Sequence, residues 1–145
     1  MSYEKEIVLF KKKQNSVFSA IDLIKILEDH SWKPTLLTID CGSDFNWVNA
    51  EDKADLERIL KHKTVMDEYI GFTLQNSINE KFVTVNISKD IIIYTLDIEK
   101  NECENTLFLW FHTQLVDNID IIKGLIEKVE WRSNYNNIVI SLIEY

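Results

Sequence analysis

Between Asp67 and Ile98 the hydrophobic pattern of the chain repeats every two residues. Three runs, DEYIGFTLQN, KFVTVNISK and DIIIYTLDI, are separated only by the turn segments NSINE and SKD. Alternation sends successive side chains to opposite faces of a strand, and connections this short suit antiparallel neighbours. In FVTVNIS, Val83, Val85 and Ile87 fall on one side and Thr84, Asn86 and Ser88 on the other, so one face is wet. IIIYTL is apolar on both sides, which predicts a central, covered strand.

The flanking segments read differently. EIVLFKKK (6–13) is expected to be a first strand with a basic end, and Asn15 or Ser16 to cap the helix after it. In that helix, SVFSAIDLIKILEDH, the residues Val17, Ile21, Ile24 and Leu27 share a face that Phe18, Leu23 and Ile26 widen, as burial against a sheet requires. Pro34 turns Lys33 away from helical angles, so the helix should stop by Ser31. TLLTIDC (35–41) then reads as a strand and the residues after it as a loop. Asn49 with Asp52 resembles a capping box that opens a surface helix, AEDKADLERILKHK, with a thin apolar face of Leu56, Ile59 and Leu60.

Further on, LFLWFH (107–112) fits a strand or the lead into a helix. TQLVDNIDIIKGLIEKV is expected to be helical, because Leu115, Ile119, Ile122, Ile126 and Val129 recur at i, i+3/4. Gly124 inside it costs about 1 kcal/mol relative to Ala and is read as permitting close packing. RSNYNN is a turn and IVISLIEY a last strand. The expected order is β-α-β-α-β-β-β-β-α-β. It defines one α+β domain over residues 1–145, with about three helices on a mostly antiparallel sheet. The length suits one domain with a proper core.

Charge and motifs narrow the function. The net charge is −8, from 16 basic and 24 acidic residues. Such a balance opposes a phosphate-backbone binder, which needs clustered cations, and an anionic membrane surface. It suits a basic partner or plain solubility. MSYEKEIVLFKKKQ holds an apolar run of only four residues, Ile7 to Phe10, so no secretory leader is read and a cytoplasmic location is expected. Cys41 and Cys103 are read as reduced thiols. The short basic groups KKK (11–13) and KHK (61–63) read as solvated ends of a strand and a helix. GxGxxG and GxxxxGK[ST] are absent, and His30, His62 and His112 lack zinc-ligand spacing, so neither a cofactor nor a metal is expected.

Two stretches combine carboxylates with rings. The first, LTIDCGSDFNWVNAED and the helix start beyond it, carries Asp40, Asp44, Phe45, Trp47, Glu51, Asp52, Asp55 and Glu57. Its spacing fits neither a calcium loop nor a nucleophile elbow around Ser43. The second, residues 97–120, carries Asp97, Glu99, Glu102, Glu104, Asp117 and Asp120 against Lys100 alone, with Phe108, Trp110, Phe111 and His112 inside it. Rigid rings beside carboxylates are the makings of a surface that grips a cationic partner. The partner-binding residues are therefore expected to be Asp40, Asp44, Phe45, Trp47, Glu51, Asp52, Asp55, Glu99, Glu102, Glu104, Trp110 and Asp117, brought onto one face.

In size, acidity, cytosolic character and compact α+β build, the chain resembles the immunity proteins of bacterial polymorphic and contact-dependent toxin systems. Segments 40–57 and 97–120 carry the resemblance, which is one of general character. It implies a non-enzymatic inhibitor that covers a cognate toxin, often a nuclease with a basic cleft. Two alternatives stand beside it. One is a small enzyme in which His112 works with a carboxylate such as Asp117 and with Cys103 or Cys41. The other is a homo-oligomeric structural or ligand-binding domain paired through a sheet edge.

Overall fold

The computed structural model describes residues 4–12, 19–39, 47–66, 70–88, 90–97, 104–133 and 138–145. The fold is α+β with antiparallel strand pairing. Its contacts group into two compact units, a middle unit of Val17–Ser88 and a terminal unit of Met1–Ser16 with Lys89–Tyr145.

The middle unit opens with α1 (Ala20–Glu28), whose start is written in the local sequence. Ser19, rather than Asn15 or Ser16, is the N-cap. Its hydroxyl accepts the Asp22 N–H at 3.2 Å, and the Asp22 carboxylate accepts the Ser19 N–H at 3.2 Å. This reciprocal pair satisfies two backbone donors that the first helical turn leaves over. Ala20, Leu23, Ile24 and Leu27 are buried, while Ile21 and Ile26 are half-buried. Val17 and Phe18 lie outside the described residues. At the other end the His30 Nδ1 sits 2.9 Å from the Ile26 carbonyl, satisfying one of the last-turn acceptors. Ser31, at φ 70°, then turns the chain. Its carbonyl accepts the Ser77 N–H at 2.9 Å and the Ser77 hydroxyl at 3.1 Å.

Strand β2 (Trp32–Ile39) begins three residues before the expected Thr35 and contains Pro34. Proline cannot donate to a ladder and is tolerated in a sheet mainly at an irregularity. The pairing with β4 (Ile70–Asn76) does shift register between Pro34 and Thr38. A short strand, β3 (Trp47–Asn49), pairs along the other side of β2, with Ile39 opposite Trp47 and Leu37 opposite Asn49. Asn49 is thus a strand residue, not a helix cap. Asp52 caps α2 (Lys53–Val65) instead, its Oδ1 accepting the Asp55 N–H at 2.8 Å. β4 and β5 (Phe82–Ile87) form the expected hairpin, aligning Phe72 with Val85 and Leu74 with Val83 on a buried face. The strand order here is β3-β2-β4-β5. α1 packs on β2, and α2 packs on β2 and β4.

In the terminal unit the order is β6-β1-β7-β8, with β6 (Ile91–Asp97), β1 (Glu4–Lys11), β7 (Ile126–Ser133) and β8 (Ile138–Glu144). Ile7 of β1 aligns with Tyr94 and Trp131, and Leu9 with Ile92 and Val129. These side chains make the inner face. The Tyr94 hydroxyl is fully buried without a hydrogen-bond partner among the described residues, and burial raises its pKa. On the opposite face Lys128 and Arg132 lie over the Phe10 ring, 4.4 and 5.6 Å from its centroid, and Glu130 pairs with both cations.

The expected helix over 113–129 holds only to Leu125 and is broken at Asn118–Ile119. Helix α3 (Glu104–His112) passes into a π-helical turn (Thr113–Asp117), then α4 (Asp120–Leu125), and from Ile126 the chain is β7. The order therefore gains β3 and β7, and residues 107–112 are helix, not strand. A β-bulge explains the misreading. Lys11 pairs with Ile126 and Phe10 with Lys128, so Glu127 is inserted. The extra residue lets Ile126 and Val129, three apart, face the same side of a strand, and this imitates a helical period. Gly124 does not serve close packing, since a Cβ placed there would meet nothing within 4 Å.

Of the basic groups, Lys61 and His62 are exposed as expected, but two lysines are not. Lys63 of KHK is fully buried beside Leu56 and Leu60 on α2, and Lys11 of KKK is 8% exposed. Burial lowers the Lys11 pKa, with Asp90 opposing the shift.

Candidate functional site

Phe108, Phe111, His112 and Leu115 are all buried, at i, i+3, i+4 and i+7. That spacing is helical, and it resolves LFLWFH in favour of helix. Leu109 points outward at 57% exposure, and Trp110 is half-buried, edge-on to Phe111 at 5.0 Å. The π-helical turn widens the backbone after His112, with the Asn118 N–H reaching back five residues to the Thr113 carbonyl at 3.0 Å.

This places four polar side chains in a chain of hydrogen bonds. The Trp131 indole N–H donates to His112 Nδ1 at 2.9 Å. Indole can only donate, so Nδ1 must accept, and the neutral ring carries its proton on Nε2. Nε2 lies 2.5 Å from the Tyr145 hydroxyl oxygen, which accepts from it. The Tyr145 O–H in turn donates to Asp117 Oδ1 at 2.7 Å, and that oxygen is 3.3 Å from Nε2. Ring packing holds the group in place. Trp131 stacks on Phe108 at 5.2 Å, and His112 stacks on Tyr145 at 6.2 Å.

Electrostatics follow from this geometry. Burial lowers the His112 pKa, and Asp117 opposes the shift. Burial, with the Asp117 hydrogen bond, raises that of Tyr145. Protonating Nδ1 would set two donors, indole and imidazolium, against each other. A general base needs a free lone pair within reach of a substrate, and here that lone pair is held by Trp131. The expected meeting of His112 with Asp117 thus occurs, in a form suited to orienting side chains. Cys41 and Cys103 lie outside the described residues. Among the described residues no group of three or more His, Cys, Asp or Glu is placed to hold a metal.

The other anticipated residues are distributed as follows. Asp40, Asp44, Phe45, Glu99 and Glu102 lie outside the described residues, as do the side chains of Trp47 and Glu104. Glu51 and Asp52 are exposed, and Asp52 is occupied as a cap. Asp55 Oδ2 accepts the Glu51 N–H at 2.9 Å while Oδ1 takes two donors from Arg58, at 3.0 and 2.6 Å. These bonds, the backbone one foremost, hold the Asp55 pKa below its usual value. Residues 47–57 belong to the middle unit, and Trp110 and Asp117 to the terminal one. Sequence reasoning missed Trp131 and Tyr145, which stand 19 and 33 residues from His112. No local motif links positions so far apart.

The helical segment of the terminal unit exposes both apolar and acidic side chains. Leu109 and Ile121 are 57% and 60% exposed. Asp117 and Asp120 are exposed on the same helical segments, and Lys123 is 3.3 Å from Asp120. Compared with known proteins, the chain matches no family model, no curated protein and no solved structure. What the fold defines is an α+β protein whose segment from α3 to α4 exposes both apolar and acidic side chains. No helix among the described residues is long and apolar enough to cross a membrane.

Proposed function

We propose that the chain is a non-enzymatic protein-binding domain of the immunity type, which neutralises a basic cognate toxin by covering it. One observation supports this reading above the rest: Leu109 and Ile121, and the acidic Asp117 and Asp120, are all exposed along the segment formed by α3, the π-helical turn and α4. Exposed apolar side chains supply contact area, and carboxylates around them steer a cationic surface and select its orientation. The net charge of −8 favours the same kind of partner. Binding and neutralisation of this sort would occur in the cytoplasm.

Co-expression with the product of the adjacent reading frame tests the proposal. Protection of the host from that product, with one-to-one co-elution weakened by salt, is the expected result. A Leu109→Glu, Ile121→Lys variant should lose both while keeping its circular dichroism. Protection that survives this variant, or no complex at all, would remove the proposal.

A further inference from the structure

A groove of about 710 Å³ lies between α1 and α2 in the middle unit. From α2 it is lined by Ala54, Arg58, Lys61 and Val65, and from α1 by Ile21 and Lys25. These four α2 residues recur at i, i+4, i+7 and i+11, a stripe on the side away from buried Leu56 and Leu60, with Glu57 and Thr64 flanking it. Ile21 and Lys25 are one turn apart on α1. Ile21, Ala54, Val65 and the methylene stems of the cations make most of the lining apolar, with hydroxyls of Ser19 and Thr64 beside them. Val65 is 76% exposed, a large apolar side chain that its own helix leaves uncovered.

The charge on the rim is opposite to that of the chain. Three cations face one carboxylate, Glu57, in a protein of net charge −8. Arg58 is engaged by Asp55 at 2.6 Å. Lys25 and Lys61 have no hydrogen-bond or ion-pair partner among the described residues. Glu57 stands one turn before Lys61 and offsets part of its charge, as Asp22, one turn before Lys25, does for that residue. Two ammonium groups on different helices, across an apolar floor, match a molecule with an anionic head and an apolar body. The volume falls in the range of small-molecule sites, about 300–1,000 Å³.

We infer that the α1–α2 groove binds a small anionic amphiphile, a single carboxylate or phosphate-type head on an aliphatic body, with the head between Lys25 and Lys61. The site does not depend on the toxin-binding role. Titration of the full chain with decanoate, kept below its micelle concentration, tests it by amide chemical shifts. Saturable shifts confined to residues 20–28 and 53–65 are expected. Acetate and decyltrimethylammonium should leave those amides unmoved, because one lacks the body and the other the anionic head. Lys25→Glu with Lys61→Glu should weaken decanoate by about tenfold, the scale of two exposed charge interactions, without changing circular dichroism. The inference is overturned by any of four results. Decanoate fails to saturate; its shifts fall elsewhere; the cationic amphiphile binds equally well; or charge reversal has no effect. An acidic amphipathic peptide that moves the same amides where decanoate does not would likewise overturn it, and would assign the groove to a protein partner.

Discussion

The two acid-rich stretches look alike in the sequence, yet their carboxylates do different work. Around α2, Asp52 and Asp55 turn inward to their own backbone, capping the helix and tying Glu51 and Arg58 to its first turn. Each bond spans three or four residues. In the terminal unit Asp117 ends a chain that runs through Tyr145 and His112 to Trp131, joining α3 and its π-helical turn to β7 and the end of β8. The first arrangement stabilises one helix. The second fixes how a helix meets a sheet. A carboxylate is therefore informative less by its presence than by the sequence separation of what it binds.

Four substitutions can break or sharpen this contrast. Trp131→Ala removes the ring that stacks on Phe108 and the donor to His112, and should cost about 3 kcal/mol or more in denaturant unfolding. A loss no larger than that of a surface mutation would mean that the chain from Asp117 to Trp131 fixes nothing. His112→Gln should cost about 2 kcal/mol, since the Tyr145 and Trp131 partners are left poorly matched. It should also change the pH profile. Burial lowers the His112 pKa from the ordinary imidazole value of 6.5, so the unfolded chain takes up the proton more readily. The contribution of neutral His112 is complete above about pH 6.5 and is lost as pH falls through the lowered folded value. Wild type should thus lose stability relative to His112→Gln on going from pH 7.5 to 5.5, and parallel profiles would refute a lowered His112 pKa.

Asp52→Ala, a lost helix cap, should cost about 1 kcal/mol. If it costs more than His112→Gln, the ranking of the two regions is reversed. Asp117→Asn keeps an acceptor for Tyr145 and, at an exposed site, should change stability by under about 1 kcal/mol. Because Asp117 raises the His112 pKa, this variant should move the imidazole titration seen by NMR to lower pH. An upward movement would show that the carboxylate does not face the ring.

Much of the middle unit was legible. The β4–β5 hairpin follows strict alternation, and α1 follows its apolar stripe, although its start was placed too early because Ser19 lies inside the run read as helix. β3 went unseen since three residues give too little pattern, and its pairing to β2 is a long-range fact. In the terminal unit the pairing of His112 with Asp117 was within reach of sequence, being five residues apart. Trp131 and Tyr145 were not, because only the strands β7 and β8 carry them to α3.

Sequence alone determined the α+β class, the antiparallel centre and the acidity, because these depend on local periodicity and on counting charges. Tertiary structure decided that Ile126–Val129 is strand, that Lys11 and Lys63 are buried, and that both nitrogens of His112 are engaged. Each of these depends on a partner distant in the chain: a bulge is defined only against the strand opposite, and burial only by what packs on top.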